Sequence, residues 1–369
     1  MKVSIHRIGM ASPADVTGLA RLIEAGDVDP TRIVAAIGKT EGNGGANDFT
    51  RALATLSVAK LIGEATGASS DEVVERVALV WSGGCEGVLS PHMTVITRDD
   101  SIDPRGAGGG LAVSVQRTRA IRPEEIGTVA EVAEVAAATR RAVADLEVTD
   151  VSDVHYVQVK GPLLTPSAIR DASARGRQVV TTDPNASKAY ARGATALGVA
   201  VGLGEVPEAA VTDGAITKDS SLFSEVASTS AGGELVACEV VLFANSSAAT
   251  AGLRIGHGRL ADAVDAEGVI RCLRSAGLEI DGLPDDGQRA RIAAVFAKAT
   301  ASPTGEIRGR RTTMLSDADI NYERHARAAT GAVIASITGD PAIFVSGGTE
   351  HHGRPGEAPI AAIVRSDQP

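Results

Sequence analysis

The chain has 369 residues, 44% hydrophobic and 22% charged, which supplies a sizeable core and argues against disorder. A net charge of −10, the lack of a basic block and an aromatic content of 2% exclude nucleic acid as the main partner, although a local Arg and Lys cluster could still hold a small anion. Three widely spaced cysteines (Cys85, Cys238, Cys272) include no C-x-x-C pair, so neither a disulfide framework nor a zinc site is suggested. The first residues carry no apolar leader, and no apolar run approaches the roughly 18 residues of a membrane helix. These features predict a reducing, cytoplasmic protein with no membrane partner. With so few aromatics the core must be Val, Ile, Leu and Ala, and 41 glycines allow tight turns and close backbone approach.

Along the chain, Ile33 to Lys39 is a short β-branched run that reads as a buried strand delivering a lysine at its end. Phe49-Thr50-Arg51 then opens an Ala-rich stretch, with a helical pattern at Ser57 to Leu61. A further strand ends in Ser82-Gly83-Gly84-Cys85-Glu86. After the Gly-rich linker 106–110, a helical pattern runs from Ile126 to Leu146. The same order then returns: a strand from Val154 to Lys160, then Tyr190-Ala191-Arg192, then Ser230-Ala231-Gly232-Gly233-Glu234. Beyond a second linker, 246–252, it returns again as a strand from Ile292 to Lys298, Tyr322-Glu323-Arg324 and Ser346-Gly347-Gly348-Thr349-Glu350.

Singly, a strand-end lysine is usually a solvated cap, a Ser-Gly usually a turn and an Arg in a first helical turn usually surface. Three sets in one order carry more weight, because a repeat kept for packing alone would preserve apolar positions rather than polar ones. Lysine-to-serine separations are 43 (39 to 82), 70 (160 to 230) and 48 (298 to 346) residues, a divergence that loops tolerate. The expected architecture is α/β: tandem units 1–105, 111–247 and 253–369 around a pseudo-threefold axis, sheets inward and helices outward. Other signals are weaker. Gly38-Lys39-Thr40 lacks the glycine of a phosphate loop, because Ile33 stands there. His351-His352 has no metal-binding spacing, and His92 and His257 read as structural.

Lys39-Thr40-Glu41-Gly42-Asn43-Gly44, Ser90-Pro91-His92, Gln158-Val159-Lys160-Gly161-Pro162 and Ser346-Gly347-Gly348-Thr349-Glu350-His351 resemble the cyanuric acid hydrolase/barbiturase family from about residue 3 to 364. The resemblance implies three tandem repeats around a barrel-like core, a homotetramer, and hydrolytic ring opening of a small planar cyclic imide without a catalytic cofactor. It implies Lys160 as general base and Ser230 as nucleophile. The choice of this dyad over Lys39–Ser82 or Lys298–Ser346 rests on the resemblance. It implies substrate contacts from Arg51, Arg192 and Arg324 and from the pairs Ser82-Gly83, Ser230-Ala231 and Ser346-Gly347.

Val80-Trp81-Ser82, Val154-His155-Tyr156 and Gly339-Asp340-Pro341 resemble barbiturase. Three arginines and a complete third serine segment resemble cyanuric acid hydrolase, and these functional positions are weighted above scaffold words. A non-catalytic binder of planar imides would be marked by loss of a dyad, and none is lost; a structural scaffold is disfavoured by three polar sets at strand ends. The family's structural cation site is departed from at Thr300 and His352, which leaves a divalent cation in doubt, with the Arg354 guanidinium as a candidate substitute for its charge. Lysine acts as a base only when neutral, so burial and the crowding of cations must lower its pKa.

Overall fold

A computed structural model describes residues 1–104 and 109–366, so most of the first linker and the last three residues lie outside the described residues. The first sheet is built from β1 (Lys2–Gly9), β2 (Ile33–Thr40), β3 (Ala78–Gly83) and β4 (His92–Asp99), in the order β1-β4-β2-β3. Its helices are α1 (Thr17–Glu24), α2 (Phe49–Thr66) and α3 (Ser70–Arg76). The second sheet takes β5 (Gly110–Ala120), β6 (Val154–Pro162), β7 (Ala227–Gly232) and β8 (Ala237–Ser246), in the order β5-β8-β6-β7. With it go α4 (Val129–Asp145), α5 (Pro166–Ala174) and α6 (Pro184–Leu203).

The third sheet takes β9 (Leu253–Leu260) and β10 (Ile292–Ala299), and a small hairpin follows, β11 (Glu306–Ile307) with β12 (Arg310–Arg311). It is completed by β13 (Phe344–Gly347) and β14 (Ala358–Arg365), in the order β9-β14-β10-β13, with α7 (Ala266–Ser275), α8 (Asp286–Ala290) and α9 (Tyr322–Thr338). Each four-stranded sheet has two ends in its strand order, so none closes on itself.

In every sheet the lysine-bearing strand runs parallel to the serine-bearing strand and antiparallel to the sheet's last strand. A parallel pair needs a crossover, and α2, α6 and α9 supply it. The predicted helix 126–146 begins at Val129, where the Thr128 side chain accepts from Ala130 N–H at 3.2 Å. The 57–61 pattern lies inside α2, which Asp48 caps and Gly67 ends in the left-handed conformation at φ 78°.

Both faces of the sheets are covered, which is why their strands read as continuous apolar runs. Outward, Ile33, Ala36 and Val95 meet Ala54, Val58 and Ile62 of α2. Val157 and Val240 meet Val135 of α4 and Val199 of α6. Val295 and Ile360 meet Val269 of α7 and Ile334 of α9. Inward, Ile5, Ile37 and Val80 of the first sheet join Val113, Tyr156 and Phe243 of the second and Ile255, Phe296 and Phe344 of the third in one cluster.

Phe296 is the hub of that cluster, with ring centroids 5.1 Å from Tyr156, 5.9 Å from Phe243 and 6.2 Å from Phe344. Four of the nine aromatic residues, Tyr156, Phe243, Phe296 and Phe344, thus meet where three sheets must fill one space. Phe296→Ala opens a cavity at this junction and is expected to cost about 3–5 kcal/mol. Urea unfolding measures it, and a loss below about 1 kcal/mol would show that the sheets do not depend on this contact.

Candidate functional site

The parallel pairings set Lys39 beside Ser82, Lys160 beside Ser230 and Lys298 beside Ser346 in strict register. Neighbours in register project to the same side of a sheet, so each lysine and serine share a face. All three lysines are buried, with relative exposures of 0%, 2% and 0%. Each ammonium reaches the backbone carbonyl of the residue before a serine in another sheet: Lys39 donates to Val345 O at 2.7 Å, Lys160 to Trp81 O at 3.1 Å and Lys298 to Thr229 O at 2.5 Å. These three bonds tie the serine strands together.

The lysines differ in their remaining partners. Lys39 Nζ also lies 3.3 Å from Ser82 Oγ, and Lys160 Nζ lies 3.5 Å from Glu234. Burial lowers the Lys39 pKa to about 8, helped by the Arg327 charge. Burial lowers Lys160 to about 8 as well, with Glu234 opposing the shift and Arg51 adding to it. Lys298 falls well below the ordinary value, through burial and then Arg192. Among the serines, the Ser230 and Ser346 hydroxyl oxygens are buried with no hydrogen-bond partner in the protein.

A second set of contacts closes around the same point. Arg51 on α2 meets Glu234 at 3.2 Å, and Arg192 on α6 grips Glu350 at 2.8 and 2.7 Å. Arg327 on α9 grips Glu86 at 2.8 and 2.5 Å. Each glutamate sits four residues after one of the serines, so each arginine clamps the serine turn of a different sheet. Gly348 follows the third serine at φ 80°, and a side chain there would overlap the Arg192 guanidinium.

The third arginine of the expected set is placed differently from the other two. Arg324 is exposed, with Nη2 donating to Asn43 O at 3.1 Å, and does not line the central cavity, whereas Arg327 is buried and does. Both lie near one helix face, three residues apart, and linear spacing from Tyr322 singles out Arg324, which lines the adjoining pocket with Lys188 and Arg192, rather than Arg327. Likewise Tyr190-Ala191-Arg192 does not open a helix, since α6 starts six residues earlier at Pro184.

The cavity is small, about 40 Å³, and admits only a compact ligand. Arg51, Arg192, Ser82-Gly83, Ser230-Ala231 and Ser346-Gly347 all line it, and of the three strand-end lysines only Lys160 does. Lys39 and Lys298 stand behind the wall. Lys188, Glu323 and Arg327 also line it and were not foreseen. They share one signal: Lys188 and Glu323 each stand four residues, about one helical turn, before an arginine of the ring. Burial lowers the Lys188 pKa, partly opposed by Glu323. Burial acts to raise the Glu323 carboxyl, but Arg192, 3.2 Å away, together with Lys188 and Arg327 holds it down to about 2.

The residues at the implied cation site do not fit a divalent ion. Thr300 Oγ1 donates to Ala301 O at 3.3 Å, and the nearby Glu350 carboxylate is committed to Arg192. Both ring nitrogens of His352 are used, Nδ1 with Glu350 O at 2.6 Å and Nε2 with Thr229 N at 2.8 Å. Arg354 is exposed, so His352, not its guanidinium, fills the interior of the loop. Among the described residues no group of three His, Cys, Asp or Glu side chains is arranged to hold a metal, and no helix is long and apolar enough to cross a membrane.

Comparison with known proteins gives the family. Residues 4–365 match the family described as amidohydrolase ring-opening protein. A cyclic amide hydrolase of Azorhizobium caulinodans is 61% identical over 99% of this chain and 100% of its own length. A cyanuric acid amidohydrolase of Pseudomonas sp. is 48% identical over 99% of this chain and 100% of its own length. A solved cyanuric acid hydrolase superposes with a TM-score of 0.94 at 48% identity, covering 99% of both chains, and one from A. caulinodans with 0.90 at 42%, covering 100% and 99%. The protein is a hydrolase that acts on cyclic amides. The chain belongs to the ring-opening amidohydrolase family.

The lowered lysine pKa values predict a pH signature in stability. The folded chain holds Lys39 at about 8 whereas the unfolded chain holds it near 10.5, so between these values the unfolded state binds more protons and stability rises with pH. The unfolding free energy of wild type relative to Lys39→Met should therefore increase from pH 8 to 10. A flat difference in paired urea titrations would mean that the lysine stays charged in the fold.

Proposed function

We propose that the protein is a cyanuric acid amidohydrolase that opens the ring by a serine–lysine mechanism at a site shared by three repeated units, 1–105, 111–247 and 253–369, related by pseudo-threefold symmetry around a barrel-like core. The observation that carries the reading is the closed circuit of three lysine–serine pairs and three arginine–glutamate clamps around one small cavity. The common strand order of the sheets supports the repeats, as does the description of one solved relative as an innovation by structural concatenation. Cyanuric acid has three equivalent carbonyls, so three like sets of donors can each address one. Barbituric acid has carbon in place of one ring nitrogen and would need one third of the site to differ.

Lys160 is the base and Ser230 the nucleophile in this reading, supported by Lys160 being the lysine that lines the cavity and by its register beside Ser230 on the parallel strand. Neutral Lys160 takes the Ser230 proton as Oγ bonds to a ring carbonyl carbon. The oxyanion is held by Arg51, Arg192, Arg327 and backbone N–H groups of the serine turns, each such donor worth about 2.7–4 kcal/mol. The lysine then returns the proton to the ring nitrogen as the C–N bond breaks, leaving an acyl-enzyme. Water, deprotonated by Lys160, adds to the acyl carbon, and the lysine returns the proton to Ser230 Oγ as the ester bond breaks; the product is carboxybiuret, which loses carbon dioxide to yield biuret. No cofactor enters these steps, and exhaustive chelation is expected to leave kcat unchanged.

A homotetramer in the cytoplasm completes the reading. Phe49, Leu53 and Leu56 form an exposed apolar stripe along α2, 81%, 44% and 58% exposed, of the kind covered by another copy of a chain. Light scattering of wild type against Leu56→Glu tests it, with smaller particles expected from the variant.

Turnover of cyanuric acid should exceed that of barbituric acid, and kcat/KM should rise as pH passes through about 8 and Lys160 loses its proton. Ser230→Ala should lose at least about 10³-fold in kcat. Full activity in that variant would transfer the nucleophile to Ser82 or Ser346, and faster barbiturate opening would replace the substrate.

A further inference from the structure

Six residues after each serine stand Val88, Val236 and His352. The first two are exposed, 51% and 73%, while His352 is fully buried and crosses from the third sheet's serine loop to the second sheet's serine strand. There its Nε2 lies 2.8 Å from Thr229 N and 2.9 Å from Thr229 Oγ1. A nitrogen that accepts from a backbone N–H carries no hydrogen itself. The hydrogen is therefore on Nδ1, which donates to Glu350 O at 2.6 Å.

β7 is the edge strand of its sheet, and the N–H and C=O of one residue in a strand point the same way. Both polar groups of Thr229 are therefore held from the third sheet, N–H by His352 and C=O by Lys298. The Thr229 hydroxyl donates in addition to Arg192 O at 2.9 Å. His351 anchors the same loop: its Nε2 accepts from Thr217 N–H at 2.8 Å, its Nδ1 is 2.6 Å from Leu222 O, and Ser224 N–H donates to its carbonyl at 3.0 Å. His351 holds φ at 60°, a conformation a side-chain residue keeps only where its surroundings fix it.

We infer that His352 is a positioning residue that distinguishes Ser230 from Ser82 and Ser346 by clamping the adjoining Thr229 backbone, and so selects one of three otherwise similar lysine–serine pairs for the reaction. The inference rests on the assignment of Ser230 as nucleophile. A clamp on the preceding peptide fixes the Ser230 backbone and leaves its hydroxyl free to move only by side-chain rotation. Neither Val88 nor Val236 offers an acceptor with which to do the same.

The test compares His352→Ala, His352→Leu and His352→Gln with wild type and Ser230→Ala in the full chain, by kcat, KM and melting temperature. Assays run well below each melting point. Removal of the acceptor by Ala or Leu should lower kcat by on the order of 10–100-fold with KM changed less than about threefold, because misplacement of a reacting group by about 1 Å has that scale of effect. Glutamine, whose carbonyl oxygen can accept from Thr229 N–H, should restore most of kcat. Wild-type kcat in the Ala and Leu variants, or failure of both to fold while the Gln variant behaves normally, assigns His352 to stability alone and overturns the inference. Full activity in Ser230→Ala overturns the nucleophile instead, which separates the two failures.

Discussion

Three ammonium and three guanidinium groups gathered at one sheltered point are what the rest of the molecule has to accommodate. Their desolvation would cost several kcal/mol each if they were unpartnered. The fold answers with two circuits of contacts: lysines donating to the carbonyls before the serines, and arginines clamping the glutamates after them. Each of these contacts joins segments far apart in the chain, so the two circuits tie every sheet to another. The polar centre holds the sheets in a defined arrangement that the apolar junction around Phe296 alone would not specify.

The same arrangement creates the chemistry. Guanidinium groups keep their charge, whereas ammonium groups lose protons when burial and neighbouring cations make the charge expensive. In the proposed mechanism the site keeps fixed positive charge for a developing oxyanion, while lysines whose pKa is lowered to about 8 serve as base. Symmetry among the three sets is incomplete. Lys188 and Glu323 place opposite charges one helical turn before two of the arginines, and His352 holds one serine strand in a way the other two are not held.

The disagreements between sequence expectation and structure have local causes. Arg324 and Arg327 occupy nearly the same helical face, and only the depth at which α9 approaches the cavity decides which reaches Glu86. The start of α6 moves to Pro184 because Asp183 caps it, with Asn185 N–H at 2.8 Å, ahead of the aromatic marker. The interior of the loop after Ser346 is filled by an imidazole with both nitrogens bonded, a role that no spacing rule assigns to adjacent histidines.

The sequence by itself determined the three buried strands, their terminal lysines, the serine turns and the glutamates that follow them, because short apolar β-branched runs and strand-end polarity are written in local order. It also determined the family, through residues that recur in fixed words. Tertiary structure decided which lysine faces the cavity, which arginine completes the ring, how Lys188 and Glu323 enter the wall, and what holds Thr229. These depend on the packing of one sheet's segment against another's edge, a relation between residues more than a hundred positions apart that linear spacing does not encode.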